Sequence, residues 1–351
     1  MANAGAVKKG PVRRFEASEW RKVIARYTGA DAVRSITQVV VTLLLLSTAL
    51  FIAYQLMDVA MWAAVLMILP ITGLQLRTFI IMHDCAHGSF LPWSRANDAI
   101  GFITGVLTFT PFAQWRREHA MHHASAGDLD HRGFGDITTL TVGEYEALSR
   151  FGRLKYRLYR HPAVMFGIGP LHLMVLQRFR LNGPATAAKQ QWNIWMTNLA
   201  MVGLAAIFGL TVGWAPVFLL YVAAFYLAGM IGIWLFYVQH QFEEAYWERN
   251  TEWDYASAAI TGSSYLRLPG ILNWFTGHIG LHHVHHLGPK IPNYRLKRAH
   301  EENPIFQAAP VITMRTAWRT LRLTLWDEAN KRMIGFREYR QLYGMRSPAT
   351  A

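Results

Sequence analysis

The chain has 351 residues, of which 52% are apolar and only 16% charged, against roughly 25% charged in an ordinary soluble domain. That deficit points to a membrane protein, and the net charge of +13 suits anionic lipid headgroups rather than nucleic acid. A single cysteine, Cys85, excludes an intramolecular disulfide.

Residues 1–35 are basic and lack a short apolar core with a cleavage site, so no signal peptide is expected; they form a basic cytoplasmic N-terminal segment. Ile36 to Met57 is uncharged and long enough to cross a bilayer, which takes about 20 residues. Asp58 and Val59 make a tight turn, and Ala60 to Met82 forms the second span, with Arg77 near its end. Ala99 to Ala113 is apolar but too short to cross comfortably, which predicts a re-entrant or interfacial segment. Ala163 to Leu176 is similarly short and is expected in the membrane surface. Ile194 to Val212 and Pro216 to Val238 form a second pair of spans, joined by Gly213, Trp214 and Ala215. Residues after 306 are expected to be a basic cytoplasmic tail, leaving 36–306 as the principal domain.

Lysine and arginine number 8 before the first span, 11 in the middle loop and 14 after residue 239, with none in either hairpin turn. By the positive-inside rule both termini and the middle loop are cytoplasmic. The expected fold is therefore all-α: four transmembrane helices in two hairpins, with a cytoplasmic helical cap, in an inner membrane.

The 15 histidines are clustered. His83 and His87 end the second span; His119, His122 and His123 lie in the middle loop; His282, His283, His285 and His286 follow the fourth span. Residues three and four apart share a helix face, so the first cluster aims two imidazoles one way and the others aim three each. All three clusters fall on one side of the membrane and can converge. Imidazole suits zinc, copper, nickel or iron, and eight rings are too many for one metal but fit two. Nitrogen-rich ligation of a metal pair favours redox iron over a hydrolytic pair, although spacing does not fix the metal. Asp84 and Glu118 are placed to orient imidazoles. His240, at the end of the fourth span, is a further ligand candidate, and His278 a weaker one. His283 points off the shared face, and His131, His161, His172 and His300 are expected to be ordinary loop or interface residues.

At these clusters the sequence resembles the membrane fatty acid desaturase superfamily, whose signature is one HxxxH and two HxxHH boxes. The likeness extends through His83-Asp-Cys-Ala-His87-Gly-Ser-Phe90, Gly133-Phe-Gly-Asp136 with Thr138 to Val142, Val238-Gln-His-Gln-Phe-Glu243 and the stretch from Gly280 to Tyr294. It is similar to bacterial acyl-lipid desaturases of the omega-6 (delta-12) and delta-5 kind. The resemblance implies a di-iron centre with nine ligands: His83, His87, His119, His122, His123, His240, His282, His285 and His286. It also implies dioxygen as co-substrate, a membrane lipid acyl chain as substrate, and electrons from ferredoxin or cytochrome b5. No His-Pro-Gly-Gly haem motif is present, since His161-Pro162 continues as Ala-Val, and one cysteine cannot hold an iron–sulfur cluster. The donor is therefore expected to be a separate protein. Arg116 and Arg117 are candidates for holding a phosphate or docking that donor. The competing expectations are a carotenoid hydroxylase or ketolase on the same scaffold, and a metal-binding membrane protein without catalysis.

Overall fold

In the computed structural model, which describes residues 17–133, 137–175 and 188–344, four helices are long and apolar enough to cross a membrane: Ala32–Val59, Met61–His87, Ala188–Thr211 and Trp214–His240. Each runs well beyond the ~30 Å hydrocarbon thickness at 1.5 Å per residue. The first begins earlier than its apolar run, because Asp31 caps it by accepting the Arg34 amide. Asp58 and Val59 continue this helix, and the chain reverses at Ala60 instead. In the second hairpin the reversal needs Gly213, whose φ of 95° lies in the region that disfavours a Cβ. Trp214 already starts the fourth span, which passes through a π-helical turn at Val217–Val222.

The surface of these spans is apolar. Leu44, Phe51, Leu199, Val202 and Leu210 are exposed, while Ser35, Thr42, Thr72 and Gln75 face inward. In water this would be an inside-out helix bundle; in lipid it is the expected arrangement, with polar groups satisfied internally. Thr72, for example, donates to the Ala224 carbonyl of the fourth span.

The short apolar segment forms a helical hairpin, Ser94–Leu107 and Phe112–Ser125. Its tip packs deep along the bundle. Phe109 lies against Tyr221 and Phe225, and the Tyr221 hydroxyl donates to the Leu107 carbonyl. Those partners precede His240 by about four to five helical turns, so the segment enters beside the spans and returns. The stretch expected in the membrane surface is two short helices, Pro162–Gly167 and Gly169–Met174. They pack on the flank of the fourth span, where Tyr226 donates to the Gly167 carbonyl and Gly229 admits Pro170 closely.

A polar cap covers one end of the bundle. The helix Ala17–Ala25 lies against it through Trp20, Val23 and Ile24. Residues 307–344, within the stretch expected as a tail, are built into the cap. Val311–Thr313 pairs in parallel with Tyr265–Arg267, and Leu325–Asp327 pairs with both Leu140–Thr141 and Arg332–Ile334. Trp326 is fully buried there. These short strands are the exception in a helical protein.

Candidate metal centre

Each histidine cluster falls on a helix end or short helix that the fold aims inward. His83 and His87 occupy the last turns of the second span, which stops at Gly88 in the left-handed conformation. His119, His122 and His123 lie on the returning arm Phe112–Ser125. His240 is the last residue of the fourth span, and His282–Leu287 is a single buried turn and a half.

Their ring nitrogens gather into two groups of four. His83, His87, His119 and His285 form the first; His122, His240, His282 and His286 form the second, with the nitrogens of each group within 4.8 Å of one another. His123 lies at the seam, its ring centroid 4.8 Å from His87, 4.6 Å from His285 and 4.2 Å from His286. Nine imidazoles from three boxes and one helix end thus converge.

The tautomers test whether this set suits a cation. His83 Nδ1 donates to Asp84 Oδ1 at 3.0 Å, since a carboxylate only accepts, and so its Nε2 carries a lone pair. That Nε2 faces the Nε2 atoms of His285 and His119 at 3.1 Å each. One lone pair cannot satisfy two such neighbours by hydrogen bonding. In the second group His240 Nδ1 donates to the Gly262 carbonyl, leaving its Nε2 bare and 2.9 Å from His282 Nε2, which in turn is 3.1 Å from His286 Nε2. His87 Nε2 is buried without a hydrogen-bond partner. Imidazoles sharing an ion at roughly 2.1 Å hold their nitrogens about 3 Å apart. The donor set therefore fits two metal ions.

Burial opposes protonation at five of these rings. His119, His123, His282, His285 and His286 are held well below the ordinary histidine range, first by burial and then by neighbouring imidazoles. Neutral rings are what a metal needs.

A search of known families finds that residues 60–318 match the model described as fatty acid desaturase. A Bacillus subtilis protein named fatty acid desaturase is 43% identical over 92% of this chain and 91% of its own length. The chain belongs to the fatty acid desaturase family. More distant similarity, at 27% identity over 64% of this chain, connects it to an sn-1 acyl-lipid omega-3 desaturase (ferredoxin) of Nostoc, of which 62% is covered. A chloroplastic omega-6 fatty acid desaturase of Arabidopsis thaliana is likewise 27% identical over 64% of this chain, with 49% of the relative covered.

Around the nine rings this desaturase places partners that spacing did not disclose. Asp84 Oδ2 accepts both the backbone amide and the side-chain amide of Asn293, so it is locked while it orients His83. Trp115 stacks on His119 with centroids 4.2 Å apart, and Phe236 packs against both His122 and His240. Tyr255 donates to the His286 carbonyl. Asn293 lies within the extended match after the third box, yet its role needs the contact to be seen; Trp115 and Phe236 carried no signal beyond being aromatic.

Glu118 and His278 do not take the roles expected of them. Glu118 accepts from Gln114 and orients no histidine, because its position on the returning arm turns it from the rings. His278 sits in a turn with φ of 58° and joins neither group. His283 does point off the shared face: its Nε2 is 3.0 Å from His300 Nδ1, which makes His300 a partner of the cluster's outer ring. His131 bonds Asp128, and His161 caps the helix that begins at Pro162. Arg116 is engaged by Asp98 at 2.5 Å and lies over the Phe112 ring. Phe134, Gly135 and Asp136 of the Gly133–Asp136 stretch lie outside the described residues.

Proposed function

We propose that this desaturase introduces a cis double bond into a lipid-linked acyl chain, with two iron ions held by His83, His87, His119, His122, His123, His240, His282, His285 and His286. The observation that carries the reading is the pair of four-histidine groups, in each of which one ring, His83 or His240, turns a bare Nε2 toward neighbouring imidazole nitrogens about 3 Å away. An unactivated methylene C–H bond is beyond acid–base chemistry, and bound iron with dioxygen and two electrons supplies the oxidising power.

The chain's own residues do the positioning. Asp84 and the Gly262 carbonyl fix the orientation of one ring in each group. His122, His240, His282 and His286 are buried, which excludes water from the second group. His87 keeps partial exposure, and its carbonyl accepts from the exposed Lys290 ammonium at 2.5 Å. This basic edge supports delivery of electrons by a separate acidic carrier. Relatives named for acyl-lipid substrates and ferredoxin favour a membrane lipid acyl chain and a ferredoxin-type donor, with cytochrome b5 the other carrier. Counts of lysine and arginine support an inner-membrane protein with both termini cytoplasmic.

The test is expression of the full chain in a host without polyunsaturated lipids, followed by mass spectrometry of its fatty acids. A product two mass units lighter with a new double bond is expected. A product carrying an added oxygen instead would sink the desaturase reading in favour of hydroxylation.

A further inference from the structure

Arg160 is a buried cation with no carboxylate partner among the described residues. It caps the helix Arg150–Tyr159 and is only 1% exposed. Its Nη1 donates to the Thr138 carbonyl (2.9 Å) and to Thr139 Oγ1 (3.2 Å). Its Nη2 donates to the Tyr237 hydroxyl (3.0 Å), to Gln241 Oε1 (2.9 Å) and to the Leu323 carbonyl (3.0 Å). Nε alone finds no acceptor. All five acceptors are neutral, and a guanidinium withdrawn from water is tolerated only where such acceptors stand ready. In return its planar fork fixes the mutual angles of groups drawn from three distant stretches of chain.

Two of those acceptors bracket His240. Tyr237 lies one turn before it on the fourth span, and Gln241 follows it at the point where the helix stops. The network closes on itself: Thr139 Oγ1 donates to Gln241 Oε1 at 3.1 Å, and the Tyr237 hydroxyl donates to the Leu323 carbonyl. A helix end has no further turn to hold it and depends on such outside partners. The His240 ring is carried by its own backbone as well as oriented by the Gly262 carbonyl, 3.3 Å from its Nδ1, so a shift of the last turn would move the ring.

We propose that Arg160 is a positioning residue for the metal centre: by clamping Tyr237 and Gln241 it holds the last turn of the fourth span so that His240 completes the second four-histidine group. This rests on the reading that the group holds an ion. Arg160 itself makes no hydrogen bond to any of the nine imidazoles, and its effect passes through the backbone.

The experiment uses full-length protein in detergent, stripped of metal and titrated anaerobically with ferrous iron, with bound iron counted by plasma mass spectrometry. Wild type should bind two ions per chain. Arg160→Gln should weaken one of them by about tenfold or more, in line with other residues that orient ligands, while the other ion and the circular dichroism stay unchanged. Arg160→Lys, which keeps the charge but meets fewer acceptors, should fall between the two. If Arg160→Gln fails to fold, Tyr237→Phe, which deletes a single hydroxyl, decides the matter by the same readout and should weaken the same ion to a smaller degree. Binding of both ions as in wild type, or equal weakening of both, would overturn the proposal. A wild-type chain that binds no iron overturns the two-ion reading and this inference with it, and does so before any variant is made.

Discussion

Both oxygens of Asp84 are committed, one to His83 Nδ1 and the other to two amide donors of Asn293. An asparagine there would turn its own NH₂ toward a donor on one side or the other. Asp84→Asn is therefore expected to lower metal affinity at the first group by roughly 10–100-fold, measured by metal titration. His283 offers the opposite case. Its ring is buried beside His300 and Phe306, and burial, then His300, pushes it down to about 3. His283→Leu should keep both ions and lose about 1–3 kcal/mol of stability through the unpaired His300. Denaturation combined with metal counting checks this; loss of an ion would move His283 into the ligand set. The boxes were legible at this scale because i, i+3 and i+4 spacing is a helix-face statement. The partners were not, since Asn293 is 209 residues from Asp84.

The element that decides the second box's placement is the re-entrant hairpin. A Cβ on Gly101 would lie 2.3 Å from the Phe112 ring, and one on Gly105 would lie 2.6 Å from the Thr110 carbonyl oxygen. The second obstacle is backbone and cannot swing aside. Gly105→Ala should open the hairpin, cost about 1–3 kcal/mol and reduce bound metal by tilting the arm that carries His119, His122 and His123. Gly203, in the third span, has nothing within 4 Å of its would-be Cβ, and Gly203→Ala should be neutral or stabilising by up to about 1 kcal/mol. Thermal unfolding of the two variants in the same detergent makes the comparison; equal behaviour would remove the close-packing argument. Sequence length alone showed that the segment could not cross. That it returns, rather than lying flat, depends on Phe109 finding Tyr221 and Phe225.

At the scale of the molecule, the gathered imidazoles make stability depend on pH once metal is removed. His119, His123, His282, His285 and His286 sit below the ordinary value of 6.5 in the folded state. Unfolded, they return to it and bind protons more readily than the folded chain does. Stability is thus fully present above about pH 6.5 and falls as pH drops below it, by up to about 1.4 kcal/mol per pH unit for each ring. The melting temperature of chelator-treated protein should hold between pH 8 and 7 and drop steeply toward pH 5. With metal bound the decline should begin at lower pH, because the ion competes with the proton. A melting temperature independent of pH would contradict the burial of the rings.

The sequence by itself determined the membrane class, the four spans, the three boxes and His240, because hydropathy and helical spacing are local properties of a chain. It also placed every box on one side, since an even number of crossings separates them. Only tertiary structure decided how nine rings divide into two groups of four with His123 between them. That partition draws each group from boxes far apart in the chain, which no periodicity encodes. The same reason hid the buried Arg160 network and the folding of residues 307–344 into the cap: Leu140 meets Leu325 and Tyr265 meets Val311 only after the spans have closed.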